Sequence, residues 1–226
     1  VPVFGILYSY TAVGVFIVLI LAWLNLRRPV TFLQHKWAKS VFLVMGRRLL
    51  TEGTENIDRK AKYILVANHS SLFDIVAILT FYPEVSWFGH ERLLKIPVFS
   101  KILELTDYIP FREPNYTNTK EMLSQLVSRS GKNSVAIFPE GTRTLDGRIN
   151  MFYKGFIYLF RSSDADILPV TLNGFYRLKP KNRAWIDFSS RLNVFIHKPI
   201  NRKELEGMTD NEIITRVRDV IISKYN

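Results

Sequence analysis

The chain has 226 residues, 47% of them hydrophobic, enough to fill the core of one domain and too many for a disordered chain. Lys and Arg outnumber Asp and Glu by 31 to 20, and the formal charge of +11 demands an anionic partner: a phospholipid surface, nucleic acid or a phosphorylated substrate. The lack of cysteine excludes a thiol nucleophile, disulfides and thiolate-bound metal, while the four histidines, His35, His69, His90 and His197, show no metal-ligand spacing.

Val3 to Leu26 is uncharged and largely apolar, and Arg27-Arg28-Pro29 ends the run. About 22 helical residues at roughly 1.5 Å each match a hydrocarbon core of about 30 Å. The segment therefore reads as a membrane helix, either spanning or, because Gly5, Ser9, Tyr10 and Thr11 dilute its first half, half-buried. No basic residue precedes it and no small-residue cleavage site comes after it, which argues against a signal peptide. If it spans, the two arginines place the rest of the chain, and with it the active site, at the cytoplasmic face. Thr31 to Leu50 reads as a second helix, with Phe32, Trp37, Val41, Phe42, Val44, Met45 and Leu49 among His35, Lys36, Lys39, Arg47 and Arg48. Such a mixture suits a lipid interface or a core-facing stripe, and the uncharged run beside it favours the interface. Residues 1–50 are accordingly assigned as membrane-anchoring helices and 51–226 as one folded domain.

Beyond Gly53, strand-like runs recur at Tyr63–Ala67, Val85–Phe88, Tyr108–Phe111, Val135–Phe138 and Ile167–Leu172. Helical stretches alternate with them at Leu72–Phe81, Leu93–Leu105, Asn118–Arg129 and Tyr153–Arg161. This alternation predicts an α/β fold with a largely parallel central sheet flanked by helices. Trp185–Phe188 and Leu192–Ile196 are read as a hairpin at one edge. Thr209 with Glu212 caps a last helix, whose Ile213, Ile214, Val217, Val220 and Ile221 form one stripe.

Two turns at strand ends carry chemistry. In Asn68-His69-Ser70-Ser71-Leu72-Phe73-Asp74 the histidine precedes a helix by a short loop. Folded back over the first turn, Asp74 would accept the proton on one imidazole nitrogen and leave the other as a base. The same residues also fit a capping box, with His69 an ordinary loop histidine. The second turn, Phe138-Pro139-Glu140-Gly141-Thr142-Arg143, offers a flexible glycine and a guanidinium fork suited to phosphate, or alternatively a solvated ion pair. Arg112 and Lys154 are further cations that a phosphate site would need to gather.

Taken in order, these segments resemble the glycerolipid acyltransferases typified by 1-acyl-glycerol-3-phosphate (lysophosphatidate) acyltransferase. Asn68 to Asp74 matches the His-x-x-x-x-Asp block, and Tyr108-Ile109-Pro110-Phe111-Arg112 resembles the second block. Phe138 to Arg143 matches the third without substitution, and Leu168-Pro169-Val170 the fourth. The resemblance covers about residues 50 to 200 and departs where His90 and Arg92 replace the lysine and glutamate that members often carry.

The resemblance implies acyl transfer from acyl-CoA or acyl-carrier protein to a lysophospholipid in the membrane. His69 would be the base and Asp74 its orienting partner, and Arg112, Glu140, Gly141, Thr142, Arg143 and Lys154 would hold the acceptor. Neither a metal nor a cofactor is implied, and backbone amides near the helix start are expected to stabilise the oxyanion. No Gly-x-Ser-x-Gly elbow is present, which argues against an acyl-enzyme. The altered His90–Arg92 stretch leaves open another acceptor, such as a lyso-aminolipid, and an inactive module binding anionic membranes is the other alternative. Nucleic acid is set aside because no recognition motif accompanies the charge.

Overall fold

A computed structural model describes residues 2–95, 100, 103–106, 108–111 and 134–226. Its strands are β1 (Leu49–Glu52), β2 (Tyr63–Ala67), β3 (Ser86–His90), β4 (Ile109–Phe111), β5 (Val135–Ile137), β6 (Asp166–Asn173) and β7 (Leu192–Ile196). They join in one sheet in the order β1-β7-β6-β2-β5-β3-β4, parallel throughout except where β6 meets β7.

Period-two alternation explains why the central strands read as unbroken apolar runs. Tyr63, Leu65 and Ala67 of β2 enter one core, and Ile64 and Val66 enter the other. The first core is covered by α2 (Arg27–Val44), α3 (Phe73–Phe81) and α5 (Phe175–Leu178), reached after α4 (Gly155–Arg161). The second lies beneath α4 and α6 (Asp210–Ile222), through Phe156, Leu159, Phe160, Ile213, Val217 and Ile221. Helix α6 begins with the expected capping box, Thr209 with Glu212.

The amino-terminal region departs from the sequence-based assignment in three ways. Helix α1 (Pro2–Trp23) and α2 form a hairpin, pinned by Tyr10 Oη with Ser40 Oγ at 2.7 Å and by Val18, Ala22 and Val30. Among the described residues, however, no helix is long and apolar enough to cross a membrane, so the expected span has no counterpart there. Second, α2 stops at Val44, because Gly46 at φ +63° makes a left-handed cap. Gly46 N donates to Leu43 O and Arg47 N to Phe42 O, the two bonds of a Schellman end. Leu49 and Leu50 are therefore strand, paired in parallel with Leu192 and Asn193. Third, no break falls at residue 50: Ala38, Val41 and Phe42 of α2 lie in the main core, and His35 Nδ1 donates to Leu79 O of α3 at 3.0 Å.

The proposed hairpin at the far edge does not form either. Trp185–Phe188 is irregular, since the Asp187 carboxylate turns back to accept from Ser189 N and Oγ and from Arg177. Those bonds, the serine's first, hold the Asp187 carboxyl down at about 2. Strand β7 instead pairs antiparallel with β6 on one side and parallel with β1 on the other. Of the sequence-predicted elements, the helix at 118–129 and residues 96–99, 101 and 102 of that at 93–105 lie outside the described residues, as does Arg112.

Just past β7, His197 supplies a pH dependence. Thr171 Oγ1 donates to Ile221 O (2.7 Å) and so must accept from His197 Nε2 (2.8 Å). Burial first, and Lys224 second, push the imidazole below its usual 6.5. Between that lowered value and 6.5 the unfolded chain binds more protons than the folded one, so stability falls as pH drops through this window. We expect the urea unfolding midpoint to decline as pH falls below 6.5, and His197→Gln to flatten part of that decline. Equal slopes in the two proteins would refute the assignment.

Candidate active site

Strands β2 and β5 end at nearly one level, with Val66 opposite Ile137, so the turns after them meet, while β6 runs on beside them to Asn173. Asn68 makes the first of these turns rigid. Its buried amide extends the ladder beyond Ala67, donating to Leu172 O (3.0 Å) and accepting from Leu172 N (2.8 Å).

His69 then faces back over the start of α3. Its Nδ1 lies 2.8 Å from Asp74 Oδ2, which also accepts from Ser70 N (2.6 Å) and Ser71 N (2.7 Å). A carboxylate oxygen already holding two N–H groups only accepts, so Nδ1 carries the proton and Nε2 presents its lone pair. Asp74 is 0% exposed and its Oδ1 has no partner, so all its hydrogen bonding passes through the one oxygen. The helix-start and base-orienting readings of Asp74 thus describe one arrangement. The Ser71 hydroxyl serves both sides, accepting from Phe73 N at the helix start (3.4 Å) and donating to Lys179 O (2.7 Å).

A plate of aromatic rings sets the plane of the imidazole. His69 stacks on Phe138 with centroids 4.0 Å apart and planes 11° from parallel, and Phe138 stacks on Trp87 at 5.6 Å. With 14% of its side chain exposed, His69 is approached from one side.

The second turn holds the first by its backbone. Glu140, 2% exposed, accepts from His69 N through Oε1 (2.7 Å) and from Asn150 N through Oε2 (2.9 Å). Thr144 N donates to His69 O at 2.9 Å, so both backbone polar groups of His69 are gripped. Burial raises the Glu140 carboxyl above its usual range, against the opposing pull of those two amides. This corrects the expectation that Glu140 holds substrate: both its oxygens face inward, and it is a brace. Gly141 sits at φ +68° in the turn, a left-handed conformation that strains any side chain, and its amide donates to Phe138 O.

The remaining candidates divide. Thr142 is exposed, and Arg143 beside it is half-buried with no carboxylate partner among the described residues. Lys154 turns away, its ammonium 3.9 Å from Asp210 at the start of α6, so it does not join Arg143. The expected oxyanion donors are also revised, since the Ser70 and Ser71 amides are committed to Asp74. Phe138, Thr144 and the Asn150 amide were not foreseen. Only Phe138 left a trace in the sequence, standing at the head of the second turn. Among the described residues no group of His, Asp and Glu is arranged to hold a metal ion.

Comparison with known proteins settles the family. The match to the protein family described as Acyltransferase covers residues 48–173, more than half of the chain. The chain belongs to the acyltransferase family. This acyltransferase is 31% identical to the 1-acyl-sn-glycerol-3-phosphate acyltransferase of Borreliella burgdorferi, over 79% of this chain and 72% of that protein. It is 28% identical to the chloroplastic 1-acyl-sn-glycerol-3-phosphate acyltransferase of Arabidopsis thaliana, covering 83% of this chain but only 53%, about half, of that longer relative. In fold the acyltransferase is similar to the crystal structure of the 1-acyl-sn-glycerophosphate (LPA) acyltransferase PlsC from Thermotoga maritima. The TM-score is 0.78 at 25% identity, over 96% of this chain and 91% of that one.

Proposed function

We propose that this acyltransferase transfers a fatty acyl group from an acyl thioester, of coenzyme A or acyl-carrier protein, to the free hydroxyl of lysophosphatidate, giving phosphatidate. The observation that carries it is the His69 imidazole, fixed through Nδ1 by Asp74 at 2.8 Å and leaving Nε2 to a hydroxyl, beside the turn that bears Arg143. The relatives named above are enzymes of this type, which supports lysophosphatidate as acceptor.

In the step proposed, Nε2 takes the hydroxyl proton while the oxygen attacks the thioester carbonyl. Collapse of the tetrahedral intermediate expels the thiolate, which recovers the proton from the imidazolium. Asp74 stabilises that transient cation, and Arg143 grips the acceptor phosphate as a planar fork. The α1–α2 hairpin is assigned to the lipid surface, because Phe16, Ile17, Ile20, Trp23 and Phe32 are exposed apolar side chains on it. Acylating the acceptor at that surface avoids moving its chain into water, at about 0.8 kcal/mol per methylene.

The test is a panel of acceptors read by product mass. Wild-type protein should acylate lysophosphatidate, and Arg143→Ala should lower that rate about 10²-fold while changing a phosphate-free monoacylglycerol much less. Equal wild-type rates with phosphate-free acceptors would overturn lysophosphatidate in favour of another lysolipid.

A further inference from the structure

Four cations meet at the corner between the two catalytic turns, and three of them come from the segment after α5. Ser71 Oγ donates to Lys179 O at 2.7 Å, fastening that segment to the turn of His69. Lys181 Nζ lies 3.5 Å from Thr142 Oγ1, next to Arg143. Lys179 Nζ donates to the carbonyls of Pro180 and Arg183, and the Arg183 guanidinium donates to those of Arg177 and Leu178. Among the described residues, none of Arg143, Lys179, Lys181 and Arg183 has a carboxylate partner. Their neighbours Arg177 and Lys154 do, in Asp187 at 3.4 Å and Asp210 at 3.9 Å. Like charges gathered without an acid repel one another, and an arriving anion relieves that repulsion. The Lys179 ammonium registers the strain, being pushed below its usual range by burial and then by Arg143 and Arg183.

We infer that Lys179 and Lys181 join Arg143 in binding the phosphate monoester of the acceptor, an assignment resting on the lysophosphatidate reading above. A phosphate monoester carries about −1.5 to −2 charges near pH 7, more than one arginine neutralises. Position favours the acceptor over the donor. In lysophosphatidate the phosphate sits close along the glycerol backbone to the reacting hydroxyl, and so must lie near His69. The phosphates of coenzyme A stand at the far end of its pantetheine arm, away from the reacting carbonyl.

The experiment measures KM for lysophosphatidate and for acyl-CoA in the full chain on mixed micelles. Lys181 is exposed and, among the described residues, its side chain makes one long hydrogen bond, to Thr142 Oγ1, so Lys181→Gln should fold normally. It should raise the acceptor KM about tenfold, with Lys181→Arg restoring it and the acyl-CoA KM unmoved. Adding Lys179→Gln should raise the acceptor KM further. Because Lys179 also holds loop carbonyls, Lys179→Arg serves as its control and should stay close to wild type. As a second readout, glycerol 3-phosphate should raise the melting temperature of wild type but not of the double variant. An unchanged acceptor KM in a wild-type background that turns lysophosphatidate over would overturn this inference alone. A rise in the acyl-CoA KM instead would assign the lysines to the donor and overturn it too. Absence of wild-type turnover would overturn the lysophosphatidate assignment itself, and this one with it.

Discussion

His69→Ala should lower kcat by at least about 10³-fold while leaving the unfolding midpoint close to wild type. The imidazole contributes to the fold chiefly through one side-chain hydrogen bond and its stacking on Phe138, whereas the proposed chemistry depends on Nε2. Asp74→Asn is the sharper experiment. Because Ser70 N, Ser71 N and His69 Nδ1 all meet the one oxygen, an asparagine that keeps its oxygen there preserves all three bonds and the ring tautomer, and removes only the negative charge that steadies the imidazolium. A loss of about 10²-fold or more in kcat is expected. Nitrogen NMR of the ring should show the proton still on Nδ1. Retention of more than about a tenth of the wild-type rate by His69→Ala would remove the base from the mechanism.

Glu140→Gln should lose both stability and activity. One carboxylate oxygen serves His69 N and the other Asn150 N, and glutamine offers a single acceptor for the two. A buried amide hydrogen left facing another N–H costs about 1–3 kcal/mol, to be read as a lower urea midpoint. Because the weakened bond is the one that places the His69 backbone, turnover should fall about 10- to 100-fold through kcat, with the acceptor KM little changed. A variant that keeps its stability but shows a much higher acceptor KM would return Glu140 to the phosphate site and refute the brace.

Most of the sheet was legible from sequence for a simple reason. A strand buried on both faces needs apolar side chains on both, and Tyr63–Ala67 and Val135–Ile137 are such runs. The facing turns were picked out by the ordered blocks of the family resemblance, since His69 with Asp74 also reads as a capped helix start and Glu140 with Arg143 as a solvated ion pair. What was lost depended on burial and direction. Gly46 is a helix stop, but its weight is hidden when basic and apolar residues continue the pattern beyond it, so Leu49 and Leu50 read as helix. Glu140 and Lys154 both look like surface charges in sequence; only the packing shows one sealed between two backbone amides and the other drawn to Asp210. Lys179-Pro180-Lys181 resembles any solvated loop until Ser71 is found holding it.

Helix α2 looks in two directions. Outward it carries α1; inward it packs Phe42 against Phe73 at 6.4 Å, one residue before Asp74, which holds the His69 ring. On the proposed placement of the hairpin at lipid, immersion depth and the reach of the imidazole are one mechanical quantity. Exchanging the outward side chains of α1 is then expected to alter how firmly the protein rests on a bilayer. Inserting residues between 24 and 26 is expected to leave α2 seated in the core and shift α1 alone, changing the height of Nε2 above the lipid and not the geometry around His69.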